Sequence, residues 1–306
     1  MLEPERLEQA IKLAEQITEK KDTNRLSFYD PYEYQNNFHS AKDNDGRLAR
    51  QRLLMAANKT GKTFCGAAEM AFHLTGKYPK WWKGYRFTGP IKAWAAGNTT
   101  ANTRDIVQAE LLGEPGDEED FGKGALPKDV ILKWDRQPGI PNAVSTVTVK
   151  HASGKNSKCY LKSYEQGKQA WMGKAIDVVW MDEEPPQDIY SQALRASLKS
   201  GGLTYMTFTP ESGMTNVVAQ FMNNLKPHQQ LYNATWDDAP HLDDEVKAEI
   251  LAALPPHERK MRSEGIPVLG SGLVFPIDVE QIKRTAFAIP EHWSRICAID
   301  FGYDHP

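Results

Sequence analysis

The sequence predicts an α/β protein in which a largely parallel central sheet is flanked by helices, with a small lid subdomain attached. Four short apolar runs, at residues 52–56, 91–96, 177–181 and 203–208, have the length and near-continuous hydrophobicity of strands buried on both faces. The first three are followed by helical stretches at 62–74, 99–112 and 189–198. Strand, crossover helix, strand is how parallel neighbours are joined.

The elements follow in order. Leu7, Ala10, Ile11, Ala14 and Ile17 recur at helical spacing and mark an amphipathic N-terminal helix, expected to pack on the main domain. Residues 28–38 are rich in aromatics, interrupted by Pro31, and read as a loop that grips something. The stretch 113–142, rich in Gly, Pro and charge, reads as a long surface excursion. Residues 144–150 and 158–161 alternate around Ala152-Ser-Gly-Lys-Asn156, the pattern of a β-hairpin. From Thr235 the texture changes to Asp-Asp, Pro-Pro and short helices at 243–254 and 257–262, which suggests the lid. The divisions are therefore 1–27 for the N-terminal helix, 28–234 for the core, 235–290 for the lid and linker, and 291–306 for a further strand.

Composition narrows the function classes. At 306 residues with 40% hydrophobic and 25% charged residues, the chain suits a globular protein with a sizeable core. It lacks an apolar run long enough to span a bilayer, so no membrane partner is expected and the chain is placed in a cytoplasm. Cys65, Cys159 and Cys297 lie far apart, without zinc or disulfide spacing. A net charge of −3 provides no overall basic footprint, so any nucleic-acid contact must be a local patch.

The chemistry concentrates in two motifs. Ala56-Ala57-Asn58-Lys59-Thr60-Gly61-Lys62-Thr63 lies between a strand and a helix. A tight loop with Gly61 can turn backbone N–H groups toward phosphates at a helix N-terminus, Lys62 can meet the β/γ-phosphates, and Thr63 can offer a hydroxyl to Mg²⁺. The motif usually opens on Gly, where this chain has Ala56. The second motif is Val178-Val179-Trp180-Met181 running into Asp182-Glu183-Glu184. An acid at the C-terminal end of a strand beside a phosphate loop can hold Mg²⁺, which assigns Asp182; the adjacent Glu183 can deprotonate the attacking water, a role open to Glu184 as well. ATP and Mg²⁺ are the implied cofactors. The run 203–209 ends in hydroxyls, and Thr207 or Thr209 at a strand's carboxyl end can sense the γ-phosphate. Gln35, beside Tyr34 and Phe38, can read an adenine edge.

With these residues in place, the chain resembles the large terminase subunit of tailed bacteriophages, especially the headful-packaging short-tailed group. The matching phrases fall at 57–79, 180–186, 207–210, 257–259 and 265–267, so the resemblance extends from about residue 28 to the end. It implies a P-loop ATPase with an adenine contact at Gln35, a phosphate loop at 58–63, a metal acid at Asp182, a catalytic acid at Glu183 and a coupling motif at Thr207 to Thr209. It also implies a ring of copies on the portal of a procapsid, pumping double-stranded viral DNA chosen by a small terminase subunit. Such a motor works in the host cytoplasm at the portal vertex and is not expected in the mature virion. The single chain can still be a monomer in solution.

Two points depart from the family. Residues 295–306 resemble the first strand of its RNase H-like nuclease, with Asp300 as a first metal carboxylate and Asp304 four residues on. One such acid cannot clamp two ions, so the expectation is a motor without the cutter. The arginine that ring ATPases place near the γ-phosphate, in cis or from a neighbour, has no motif here; Arg104 and Arg195 lie on helices expected to border the site, and Lys59 can substitute in part. A helicase-type remodelling ATPase shares these motifs, and a non-hydrolysing portal-docking module is the reading from another class.

Overall fold

A helix, α1 (Pro4–Thr23), and a short helix, α2 (Glu33–His39), lead into the first strand, β1 (Gln51–Ala56), and then into α3 (Lys62–Thr75) and β2 (Lys92–Gly97). A segmented helix follows: α4 (Thr100–Asn102), a π-helical stretch, Thr103–Gln108, and α5 (Ala109–Leu112). Three strands come next, β3 (Ile131–Arg136), β4 (Val144–Lys150) and β5 (Asn156–Ser163). The chain continues through β6 (Val178–Asp182), α6 (Gln187–Leu198), β7 (Leu203–Phe208), α7 (Asn216–Asn223), β8 (Gln229–Ala234), α8 (Asp244–Ala253) and α9 (Pro256–Glu264). This is a computed structural model that describes residues 4–267, 283–294 and 296. The chain divides into two units, Met1–Leu273 and Val274–Pro306, and every described helix and strand lies in the first.

The strands form one sheet in the order β3-β4-β5-β2-β6-β7-β1-β8. From β5 to β8 all neighbours are parallel, while β4 and β3 extend the β5 edge antiparallel. The four predicted strands are the contiguous centre, β2-β6-β7-β1. Their near-continuous apolar sequence follows from burial on both faces: Leu54 and Ala56 of β1 join the layer under α3 with Met70, while Leu53 and Met55 join the layer under α6 and α7 with Tyr190 and Phe221. Each of these large side chains contributes roughly 1.5–3 kcal/mol by leaving water.

Several sequence expectations change. The stretch 113–142 is no mere surface excursion: it contains β3, and Phe121, Ala125, Leu126 and Val130 are buried in the α3-side core. Backbone bonds from Gly122 to Leu112, Ala125 to Glu110 and Leu126 to Leu111 lash it to α5. Its Gly and Pro content masked four isolated apolar anchors. The aromatic segment 28–38 contains a 3-10 turn, Arg25–Phe28, at its start and then α2, with Tyr34 and Phe38 buried. The N-terminal helix forms, but Ile11, Leu13 and Ile17 are 52%, 58% and 43% exposed, so the core does not cover its apolar stripe. Neither β8 nor α7 was anticipated, since Gln-Gln-Leu-Tyr-Asn-Ala carries no apolar run. After β8, Trp236, Ala239 and Leu242 cluster around Ala57, so the segment called a lid packs directly on the phosphate loop. Asp300 and most of the predicted strand segment 291–306 lie outside the described residues; of that segment, 291–294 and 296 are described, as turn, bend or irregular chain.

Candidate nucleotide site

The loop between β1 and α3 sits at the carboxyl end of the sheet, where open parallel sheets bind ligands. Gly61, at φ 90°, caps α3 in the left-handed region, and Lys59 also has positive φ, 60°. Glycine adopts such angles freely and lysine at a cost of roughly 1–2 kcal/mol, so neighbours must hold the loop. They do so from several sides. Ala57 N–H donates to Ala234 O at 2.8 Å, Asn58 N–H to Arg262 O at 3.0 Å, and Trp236 Nε1–H to Asn58 O at 2.8 Å. His241 Nε2 lies 2.8 Å from Lys59 O. Lys62 and Thr63, half-buried in the first turn of α3, occupy the positive end of the helix dipole.

The acids stand two strands away. Asp182 ends β6 in register with Thr207 of β7. It is 1% exposed; Thr207 Oγ1 lies 2.7 Å from its Oδ1 and Thr63 Oγ1 3.5 Å from its Oδ2. Burial, reinforced by the charge of Glu183, pushes the Asp182 carboxyl up to about 7, against the lowering effects of Thr207, Lys62 and Thr63. A buried carboxylate and a hydroxyl offer oxygen ligands to a cation such as Mg²⁺, whose charge offsets the cost of desolvating Asp182.

Glu183 is the turn out of β6 and is left-handed, at φ 64°. Its N–H donates to Thr207 O at 3.1 Å, and Tyr164 OH, at 2.9 Å from Asp182 O and 3.1 Å from Glu183 O, secures both carbonyls. An outlier locked from two directions marks a residue whose aim matters. Burial raises the Glu183 carboxyl and Lys62 opposes that rise, which ties the loop lysine electrostatically to both acids. Glu184 turns instead toward Thr215, the N-cap of α7, and hydrogen-bonds its hydroxyl. Of the two candidate bases, Glu183 feels the charge of the loop lysine and Glu184 braces a helix.

The hydroxyls at and just past the end of β7 divide their work. Thr207 meets Asp182, whereas Thr209 Oγ1 lies 2.7 Å from Ala56 O and 2.8 Å from Asn58 Oδ1, on the phosphate loop. Gln35 also comes to the loop. Its Nε2 donates to Gly61 O at 3.3 Å and Tyr34 OH at 3.1 Å, while its Oε1 accepts from Tyr32 N–H at 3.0 Å and Tyr29 OH at 3.3 Å. All four positions of the amide are filled by protein, so Gln35 braces the loop here rather than presenting an open edge to a base. Thr60, buried, bonds Ala57 O within the loop.

Among the described bonds, neither arginine chosen from sequence touches the loop or the acids. Arg104 is held by its neighbour Asp105 and by Pro141 O at 3.1 Å. Arg195 is exposed in the last turn of α6, beside Ser197, which bonds Thr204 near the start of β7; that is the sheet end opposite the loop. Sequence missed Arg262. This residue of α9 has its carbonyl on Asn58 N–H and its guanidinium on Glu258 (Nε to Oε2, 2.8 Å) and Glu211 (Nη1 to Oε1, 2.7 Å), and Glu211 raises the Glu183 carboxyl. Tyr164 was missed too, since nothing in a strand-end tyrosine announces a bond past β2 to the end of β6.

Residues 53–282, which hold the loop and both acids, match the family described as "Terminase large subunit, T4likevirus-type, N-terminal". The terminase large subunit of Salmonella phage P22 is 40% identical over 98% of this chain, and that of Enterobacteria phage LP7 is 32% identical over 69%. The chain spans 63% and 44% of the length of these relatives. Among solved structures, the large terminase ATPase domain of Thermus phage P74-26 superposes with TM-score 0.53 at 19% identity, covering 80% of this chain and 96% of that one. The large terminase of a thermophilic bacteriophage in complex with ADP gives TM-score 0.54 at 14% identity, covering 77% and 52%. These structural likenesses establish the α/β fold, and the family match with the P22 identity establishes kinship: the chain belongs to the terminase large subunit family.

Proposed function

We propose that this chain is the ATP-hydrolysing motor of a viral terminase that drives double-stranded DNA into a procapsid. The observation that carries the reading is Glu183, locked in a left-handed turn and felt by the same Lys62 that acts on Asp182. Lys62 and the amide groups at the start of α3 bind the β/γ-phosphates. Asp182 and Thr63 would hold Mg²⁺, which when bound offsets phosphate charge. Glu183, its carboxyl raised by burial, orients a water and takes its proton. Arg262, released from Glu211, is the arginine this reading assigns to charge developing on the γ-phosphate. Thr209 and Gln35 hold the loop that must respond when that phosphate leaves.

The wider reading is a ring of copies on a portal, a small subunit supplying viral DNA, and action in the host cytoplasm at the procapsid; the relatives, named as terminase large subunits, support the packaging role alone. Among the described residues no helix is long and apolar enough to cross a membrane. Hydrolysis without DNA cutting is expected of this chain, because two-metal cleavage needs several converging carboxylates and Asp182 and Glu183 face the phosphate loop. The test is steady-state phosphate release beside plasmid incubation in Mn²⁺. Lys62→Ala should abolish release with the fold intact, Glu183→Gln should slow it at least about a hundredfold while ATP still binds, and the plasmid should stay whole. Unchanged release by folded Lys62→Ala would sink the site assignment.

A further inference from the structure

Trp180 lies two residues before Asp182 on β6, so the two side chains leave the same face of the sheet. The indole is fully buried and stacks on Tyr205 at 6.4 Å between centroids and 15° between planes. It lies directly beneath α3: a Cβ at Gly66 would come 2.4 Å from Trp180 Nε1, so glycine is required there for the helix to rest on the ring.

The polar end of this ring decides a proton's position. Trp180 Nε1 is 2.8 Å from Thr207 Oγ1, which in turn is 2.7 Å from Asp182 Oδ1. An indole N–H can only donate, whereas a threonine hydroxyl rotates to donate wherever an acceptor offers. Thr207 must therefore accept from Trp180, and its single proton is left for Asp182 Oδ1. That fixes one carboxylate oxygen and leaves Oδ2 turned toward Thr63. A phenylalanine would keep a smaller aromatic ring in that space without this donor.

We propose that Trp180 is a positioning residue for the metal acid: through the Thr207 hydroxyl, its N–H holds Asp182 in the orientation that presents Oδ2 to the Mg²⁺ of a bound nucleotide. This rests on the nucleotide-site reading above. The effect belongs to metal affinity and leaves the phosphate contacts of Lys62 untouched.

The experiment is calorimetric binding of ADP to the full chain, with Mg²⁺ and with EDTA, beside thermal melting. Trp180→Phe should lose about fivefold to tenfold of the Mg²⁺-dependent gain in affinity, the worth of one hydrogen bond, with ADP binding in EDTA unchanged. Thr207→Val should lose the same amount, Thr207→Ser should keep the gain, and adding Trp180→Phe to Thr207→Val should cost nothing further. Additive losses, or a loss equal in EDTA, would overturn the proposal by making Trp180 a packing residue only. Should Trp180→Phe fail to fold, equal metal dependence in Thr207→Val and Thr207→Ser would overturn it, and loss in Val alone would support it. A wild-type chain that bound no ADP in either buffer would instead overturn the nucleotide reading itself.

Discussion

Two carboxylates in this molecule are equally hidden and oppositely treated. Glu69, in the middle of α3, is 0% exposed, and Asp182 is 1% exposed. Burial pushes both upward. At Glu69 the Arg52 guanidinium from β1, with His39 Nδ1 at 2.7 Å and His73 Nε2 at 3.3 Å, overwhelms burial and holds the carboxyl well below its usual range. At Asp182 the neighbours are hydroxyls and another acid, and the carboxyl stays raised. On the proposed nucleotide reading, the difference separates framework from site. A structural charge is given a resident cation by its own chain, whereas a site charge is left for one that arrives with the ligand.

The contrast is broken most severely at Arg52. Arg52→Ala strands a buried charge and should cost about 3–5 kcal/mol of stability, measured by denaturant unfolding. Loss of activity without loss of stability would mean the Glu69 cluster belongs to the site after all.

A smaller effect of opposite sign should appear at Asp182. Its folded-state carboxyl is raised to about 7 from an unfolded value near 3.8, so the metal-free protein loses stability as pH rises between those values and stays depressed above 7. Asp182→Asn should therefore melt higher than wild type at pH 8 without Mg²⁺, by on the order of 1–3 kcal/mol, with the gain shrinking toward pH 4. Glu69 runs the other way: its contribution is present above the usual glutamate range and fades as pH falls through its lowered folded value. An Asp182→Asn melting profile parallel to wild type at every pH would erase the distinction.

Read in rate rather than stability, Arg262→Ala is expected to lower kcat about a thousandfold with little change in KM, and wild-type specific activity should stay flat against protein concentration, as the proposed cis assignment of Arg262 requires. Activity that climbs with concentration would assign the role to a neighbour's residue. Smallest is Arg195→Ala, predicted to leave phosphate release unchanged within a factor of about two, since an exposed charge at the far sheet end rarely matters to a distant site.

The legible part of the molecule was its centre. β2-β6-β7-β1 could be read because burial on both faces forces continuous apolar sequence, and the loop and the acids stood out as motifs whose residue types and spacing suit phosphate and metal, which the fold brings to one end of the sheet. What escaped depended on tertiary partners. β8 is Gln-Gln-Leu-Tyr-Asn-Ala, which becomes a strand by pairing with β1 through its backbone. Arg262 sits in a charged helix like any other until its carbonyl meets Asn58, and Tyr164 is an ordinary strand-end aromatic until its hydroxyl reaches the carbonyls of Asp182 and Glu183 at the end of β6. Gln35 was found by position while its bonding was not, because an amide's four partners come from the fold and leave no trace in spacing.

The outermost strand beyond the hairpin, β3, carries one more consequence. Its register against β4 slips twice, between Ile131 and Lys133 and between Asp135 and Arg136, and its face toward water carries the pairs Lys133–Asp135 and Arg136–Glu118. Bulges twist an edge away from flatness, and a strand from another molecule docking there would have to bury those charges. This edge of the sheet is thereby closed to extension, which guards the concentrated protein against stacking of one copy on another along β3.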